Sequence, residues 1–189
     1  LRGAYNKLIN LTNEQKKRGV VAASAGNHAQ GVALAADKLN IEATIVMPQT
    51  TPDIKIEGVK KFGACVVLYG DDFSSAFTKA QEIATKTTSV FIPPFDDPLV
   101  IAGQGTIGIE LLRQCMEDIH AIFIPIGGGG LISGIGAYVK MVRPDIKIIG
   151  VESDESASMR ASLEKGRRVT LKNVGIFADG VAVAKVGKE

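Results

Sequence analysis

Cysteine is scarce, with only two in 189 residues. Cys65 lies in an apolar strand-like run and Cys115 on a helix-like stretch, without the spacing of a metal site or a disulfide framework, so buried reduced thiols are the expectation. Aromatic residues make up 5%, and 22 basic side chains stand against 20 acidic ones, a net charge of +2 with no basic block. That balance leaves no electrostatic footprint for nucleic acid and makes small metabolites the expected partners. An uninterrupted membrane span is missing too. Residues 121–139 are uncharged and long enough, but Pro125 and the six glycines between Gly127 and Gly136 argue against a lipid-facing helix, and the protein reads as soluble. The glycine run at 127–130 departs from the spacing G-x-G-x-x-G and no Gly-Lys-Ser/Thr P-loop follows it, and there is no internal repeat and no signal peptide. Nor is there an initiator methionine before Leu1, so the true N-terminus is expected to lie outside these residues.

What is present is enough apolar material for a core, 46% hydrophobic against 22% charged, sufficient for one domain or two small ones. Strand-like runs fall at 20–23, 43–47, 65–69, 90–92, 121–126 and 146–151. Between them the spacing predicts helices at 4–17, 29–39, 53–62, 73–87, from 99 to about 116, at 131–139 and at 157–165. Strands alternating with helices imply parallel βαβ units and an α/β class. The proline-rich loop 93–98 is the expected domain boundary, and 176–183 is too short to place.

Four consecutive glycines, Gly127, Gly128, Gly129 and Gly130, join the strand-like run to Leu131-Ile-Ser-Gly134. Backbone without Cβ atoms can turn its N–H groups toward one point, and a following helix adds its positive end, so a phosphate is the natural guest. A flexible linker is the alternative, but linkers are normally polar on both sides. A second turn, Ser24-Ala-Gly-Asn-His28, also follows a strand, where open α/β sheets bind ligands, and offers a hydroxyl, an amide and an imidazole. Asn27 could instead cap the next helix, Ser24 satisfy a turn, and His28 lie on the surface. Composition and spacing stop at an α/β protein that binds a phosphate-bearing small molecule.

Ser24-Ala-Gly-Asn-His-Ala-Gln-Gly31 resembles the motif of the serine/threonine dehydratases, pyridoxal-phosphate enzymes of fold type II. The likeness continues through Leu1-Arg-Gly-Ala-Tyr-Asn6, Pro94-Phe-Asp-Asp-Pro98, Ala102-Gly-Gln-Gly-Thr106, the four glycines, Val151-Glu152 and Ala178-Asp-Gly-Val181. The resemblance implies a two-domain fold of the tryptophan synthase β kind, with parallel sheets flanked by helices and incomplete here at both ends. Residues 19–97 would form the small domain, with 1–18 and 98–189 belonging to the large, cofactor-binding one. It also implies pyridoxal 5'-phosphate held by Gly127, Gly128, Gly129, Gly130 and Leu131 at its phosphate, by Asn27 at its ring oxygen and by Gly180 along its face. The turn Ser24, Ala25, Gly26 and His28 would hold the substrate carboxylate, with Phe95 beside the substrate.

Racemases resembling this chain carry a second serine where Ala25 stands and an asparagine where Phe95 stands, so dehydration is favoured over racemisation. His28 resembles the dehydratase branch, and Phe95 with Asp96 and Asp97 resembles the threonine dehydratases of isoleucine biosynthesis. The implied activity is dehydration and deamination of L-threonine or L-serine to 2-oxobutanoate or pyruvate and ammonia. The family's Schiff-base lysine would immediately precede Leu1, so no catalytic residue is assigned within these residues, which are expected to be a fragment of a longer chain. The family implies a homo-oligomer with an amino-acid substrate and no membrane or nucleic-acid partner; a cytoplasmic location is expected, with organelle targeting left open. A metal near Glu152 is not expected, because the acidic partner falls at Ser158. Competing readings are a non-catalytic module binding pyridoxal phosphate or a phosphorylated metabolite, a serine racemase, and a nucleotide-binding domain, the last disfavoured because the glycine run after the strand at 121–126 has neither the dinucleotide nor the P-loop spacing.

Overall fold

The computed structural model describes residues 1–175 and 177–189, in two compact units, Leu1–Pro94 and Phe95–Glu189. The first unit opens with α1 (Arg2–Ile9) and α2 (Asn13–Arg18), then alternates β1 (Val20–Ala23), α3 (Asn27–Leu39), β2 (Ala43–Met47), α4 (Asp53–Lys60), β3 (Cys65–Leu68), α5 (Phe73–Thr87) and β4 (Val90–Phe91). Its four strands are parallel in the order β3-β2-β1-β4, with Val20 beside both Ala43 and Val90 and Thr44 beside Cys65.

The central strand β1 reads Val-Val-Ala-Ala with no polar alternation because both its faces are covered. Val20 and Ala22 join Ile45 and Met47 in one core with Leu8 of α1, Val32 and Ala36 of α3, and Val59 of α4. Val21, Ala23 and Val46 point into a second core against α5, whose Ala76, Ala80 and Ala84 recur every four residues on one face.

The single helix expected over 4–17 is two helices. Thr12 starts the second with a capping box: its hydroxyl accepts the Gln15 N–H at 3.2 Å, and the Gln15 side-chain oxygen accepts the Thr12 N–H at 2.9 Å. Both cysteines are free and exposed, contrary to the expectation of burial. The apolar run around Cys65 is an edge strand with an open flank, and Cys115 caps the end of a helix rather than lying within it.

The second unit contains α6 (Pro98–Gln114), β5 (Ala121–Pro125), α7 (Gly130–Val142), β6 (Lys147–Val151) and α8 (Ser158–Glu164), with short 3-10 turns at Asp154–Ser156 and Asp179–Val181. Strands β5 and β6 pair in parallel from Ala121 beside Lys147 to Pro125 beside Val151. Ile124, Ile135, Val139 and Ile146 form the core between this pair and α7. Helix α6 runs unbroken through its three glycines. Two of them let α7 approach closely: a Cβ on Gly105 would lie 3.0 Å from the Gly134 carbonyl oxygen, and one on Gly108 would lie 3.2 Å from Val139 Cγ2. The start of the stretch 176–183 lies outside the described residues; its middle is the 3-10 turn. Among the described residues no helix is long and apolar enough to cross a membrane.

Candidate active site

In the first unit, β1 delivers Ser24 to the carboxyl end of the sheet, where its N–H still donates to Val46 O at 3.1 Å. The chain must then turn into α3. The Ser24 hydroxyl accepts the Gly26 N–H at 3.1 Å, closing the turn as a side-chain mimic of a backbone bond. Gly26, not Asn27, is the N-cap of α3, and no side chain caps that end. Asn27 is the first helical residue, and it is exposed. A Cβ added to Gly26 would meet no heavy atom within 4 Å, so the space in front of the turn is open. Ala25 beside it is half-buried.

His28 is not the surface residue that its polarity permits. Its ring is partly buried and its Nε2–H donates to Ile92 O at 3.0 Å, tying the turn to the end of β4. Burial outweighs that bond and lowers the imidazole pKa to about 4, so His28 is neutral at physiological pH. The turn therefore presents no charged side chain. A carboxylate there would be held by backbone N–H groups, a hydroxyl and an amide. In the next loop Thr51 is buried with its hydroxyl unpartnered among the described residues, a polar group that no motif in the sequence marks.

In the second unit the glycine run lies between β5 and α7. Gly129 is the N-cap of α7 with φ 96°, a left-handed conformation that a side chain would strain, and no side chain caps the helix. The carbonyls of the run are engaged: Gly128 O accepts the Gly187 N–H and Gly129 O the Ser133 N–H, each at 2.9 Å. Among the described residues nothing accepts from the N–H groups of Gly128, Gly129, Gly130 and Leu131. Unsatisfied donors at the start of a 13-residue helix match a phosphate in charge and in hydrogen-bonding chemistry.

The run is hemmed in elsewhere. A Cβ on Gly128 would fall within the Phe95 ring, and one on Gly130 would lie 2.8 Å from Phe95 O. One on Gly127 would lie 3.1 Å from Val181 Cα. The structure thus brings together Phe95, the glycines and the neighbour of Gly180, whose own α-carbon faces open space. Glu152, at the end of β6, uses both carboxylate oxygens to accept the Met159 and Arg160 N–H groups at 2.9 Å.

The whole chain, residues 1–189, matches the family described as pyridoxal-phosphate dependent enzyme. It is 59% identical over 188 residues to threonine dehydratase 2 biosynthetic, chloroplastic, of Solanum lycopersicum, covering 100% of this chain and 31% of that protein. Among solved structures it is similar to the processed form of threonine deaminase isoform 2 from Solanum lycopersicum, with a TM-score of 0.96 and 59% identity over 99% of this chain and 54% of that one. A maize serine racemase is a more distant neighbour at 37% identity and a TM-score of 0.93, over 98% of this chain and 56% of that one. The chain thus spans about a third of the length of the curated relatives it matches. With its parallel sheets flanked by helices and a family match over its full length, the chain belongs to the pyridoxal-phosphate dependent enzymes of fold type II.

Proposed function

We propose that these residues are part of a threonine dehydratase that converts L-threonine, and L-serine as a second substrate, to a 2-oxo acid and ammonia. The observation that carries the reading is the glycine run with its free N–H groups in a chain 59% identical to a threonine dehydratase. Gly127, Gly128, Gly129, Gly130 and Leu131 would hold the phosphate of pyridoxal 5'-phosphate, Asn27 its ring oxygen, and Gly180 would line its face. Bound there, the cofactor supplies a sink for the electrons left when the Cα proton departs.

Ser24, Ala25 and Gly26 would receive the substrate carboxylate, with room for it because Gly26 faces open space. Neutral His28 would keep that turn in place through Ile92 O without adding a charge. In the net reaction the Cα–H and Cβ–OH bonds break with loss of water, and a returning water then releases the nitrogen as ammonia. Threonine gives 2-oxobutanoate and serine gives pyruvate. Ala25 supplies no hydroxyl for proton transfer on the opposite face, and Phe95 stands where racemases carry asparagine, so elimination is favoured over racemisation.

The reading includes a lysine immediately before Leu1 in the parent chain. Leu1 packs on α3 beyond the 24–28 turn, since a Cβ on Gly31 would lie 3.0 Å from both Leu1 N and Cα. A residue joined to Leu1 N would therefore stand at the same end of the first unit as the turn. In domain terms, 19–97 would be the small domain, with 1–18 and 98–189 in the large one. The parent would assemble as a homo-oligomer in the cytoplasm, or in a plastid as the tomato relative's name favours.

Incubating the parent protein with L-threonine and L-serine, with the 2-oxo acids, ammonia and D-serine all measured, tests the reaction. Borohydride reduction followed by peptide mapping tests the lysine. Stoichiometric 2-oxobutanoate and an adduct just before Leu1 are expected. D-serine without 2-oxo acid, or no adduct, would overturn the reading.

A further inference from the structure

We infer that Asp96 is a positioning residue for the glycine run, acting through the 187–189 segment; this rests on the reading of the run as the phosphate cradle. Asp96 Oδ1 accepts two backbone N–H bonds, from Lys188 at 2.9 Å and from Glu189 at 3.1 Å, across more than 90 residues of sequence. The residue before them, Gly187, packs directly against the same carboxylate: a Cβ there would lie 2.7 Å from Asp96 Oδ1. Gly187 in turn donates its N–H to Gly128 O at 2.9 Å.

The peptide joining Gly128 to Gly129 is thereby fixed through its carbonyl, and its N–H, on Gly129, points to the opposite side of the peptide plane. On the other flank, the residue before Asp96 is Phe95, whose ring fills the space at Gly128 and whose carbonyl oxygen closes on Gly130. The residue after it, Asp97, caps α6, its Oδ1 accepting the Leu99 N–H at 2.9 Å and the Val100 N–H at 3.2 Å. Residues 95–97 thus form a clasp: Asp97 anchors it to a 17-residue helix, Phe95 presses on the glycines, and Asp96 holds the strap that grips Gly128 O.

A flexible run of four glycines pays a high entropy cost to order around a ligand, and the clasp removes that cost in advance. Asp96 touches neither cofactor nor substrate in this scheme. Its effect reaches the phosphate only through Gly187 and Gly128.

The test uses the full parent protein as Asp96→Ala and Asp96→Asn. Pyridoxal phosphate dissociation is followed by absorbance, the environment of the bound phosphate by its 31P chemical shift, and KM for threonine at saturating cofactor. Two charge-assisted bonds are lost in D96A, so cofactor affinity is expected to fall about tenfold or more, with a moved 31P signal and an unchanged KM. D96N keeps an acceptor oxygen and is expected to recover most of the affinity and the wild-type 31P position. A D96A protein that binds cofactor as wild type does, or a D96N protein as impaired as D96A, would overturn the clasp while leaving the proposed function intact. A wild-type protein that takes up no pyridoxal phosphate would overturn both.

Discussion

Gly105 of α6 and Gly134 of α7 bring two helix backbones into contact, with a Cβ on Gly105 only 3.0 Å from Gly134 O. In the opposite direction, a Cβ on Gly134 would run into Ile101 O and lie 2.7 Å from Gly105 N. Backbone atoms on both sides have no rotamer with which to yield. The helix that begins at the glycine run is therefore located by this crossing.

Gly134→Ala is expected to destabilise the protein by about 3 kcal/mol, the upper range for overpacking. Gly136→Ala in the same helix is the control, because its Cβ would make an ordinary 3.8 Å contact with Ile148 Cγ2. It should be neutral or stabilising by up to about 1 kcal/mol, as alanine replaces glycine in a helix. Denaturant unfolding of both variants checks the pair.

Gly26→Ala separates packing from binding. Nothing lies within 4 Å of the added carbon and φ is −123°, so stability should stay within about 0.5 kcal/mol of wild type. In the proposed reaction the methyl group would occupy the space of the substrate carboxylate, and the parent protein's KM for threonine should rise about tenfold or more with cofactor binding unchanged. Steady-state kinetics beside a thermal melt read both effects.

His28 makes stability depend on pH. Its pKa is lowered in the fold from 6.5 to about 4, chiefly by burial, so the unfolded chain binds the proton more tightly. Its contribution is complete above the unfolded value, declines as pH falls from 6.5 toward 4, and changes no further below that. The full loss is about 3 kcal/mol or less, since the ring is only partly removed from solvent. Wild type should lose more stability than His28→Gln between pH 7 and pH 5, and the ring-proton shifts of His28 should titrate near the lowered value.

Thr12→Ala removes the hydroxyl half of the capping box that splits the first helical stretch. A loss of about 1 kcal/mol is expected, with Thr12→Ser close to wild type. Since no residue of α2 is buried, hydrogen exchange should quicken in residues 13–18 and leave β1 protected.

The same short helix marks where the sequence was and was not legible. Strand runs such as Val20–Ala23 and Ala43–Met47 were readable because burial on both faces demands continuous apolar residues. The break before Asn13 was missed because Leu8 and Leu11 keep a helical spacing across it, although Thr12 and Gln15 carry the capping-box signature three residues apart. The glycine run and the 24–28 turn stood out through local chemistry. What Asp96 and His28 hold did not, because their partners, Lys188 and Ile92, lie 92 and 64 residues away. The exposure of Cys65 was not legible, because an apolar run does not reveal whether its strand ends up central or at an edge.

That edge strand has a practical use. Cys65 belongs to the first compact unit and Cys115 to the second, and both thiols are free and exposed. Each half of these 189 residues thus carries a native attachment point for a maleimide dye. A dye on each would let the unfolding of each unit be followed by its own fluorescence.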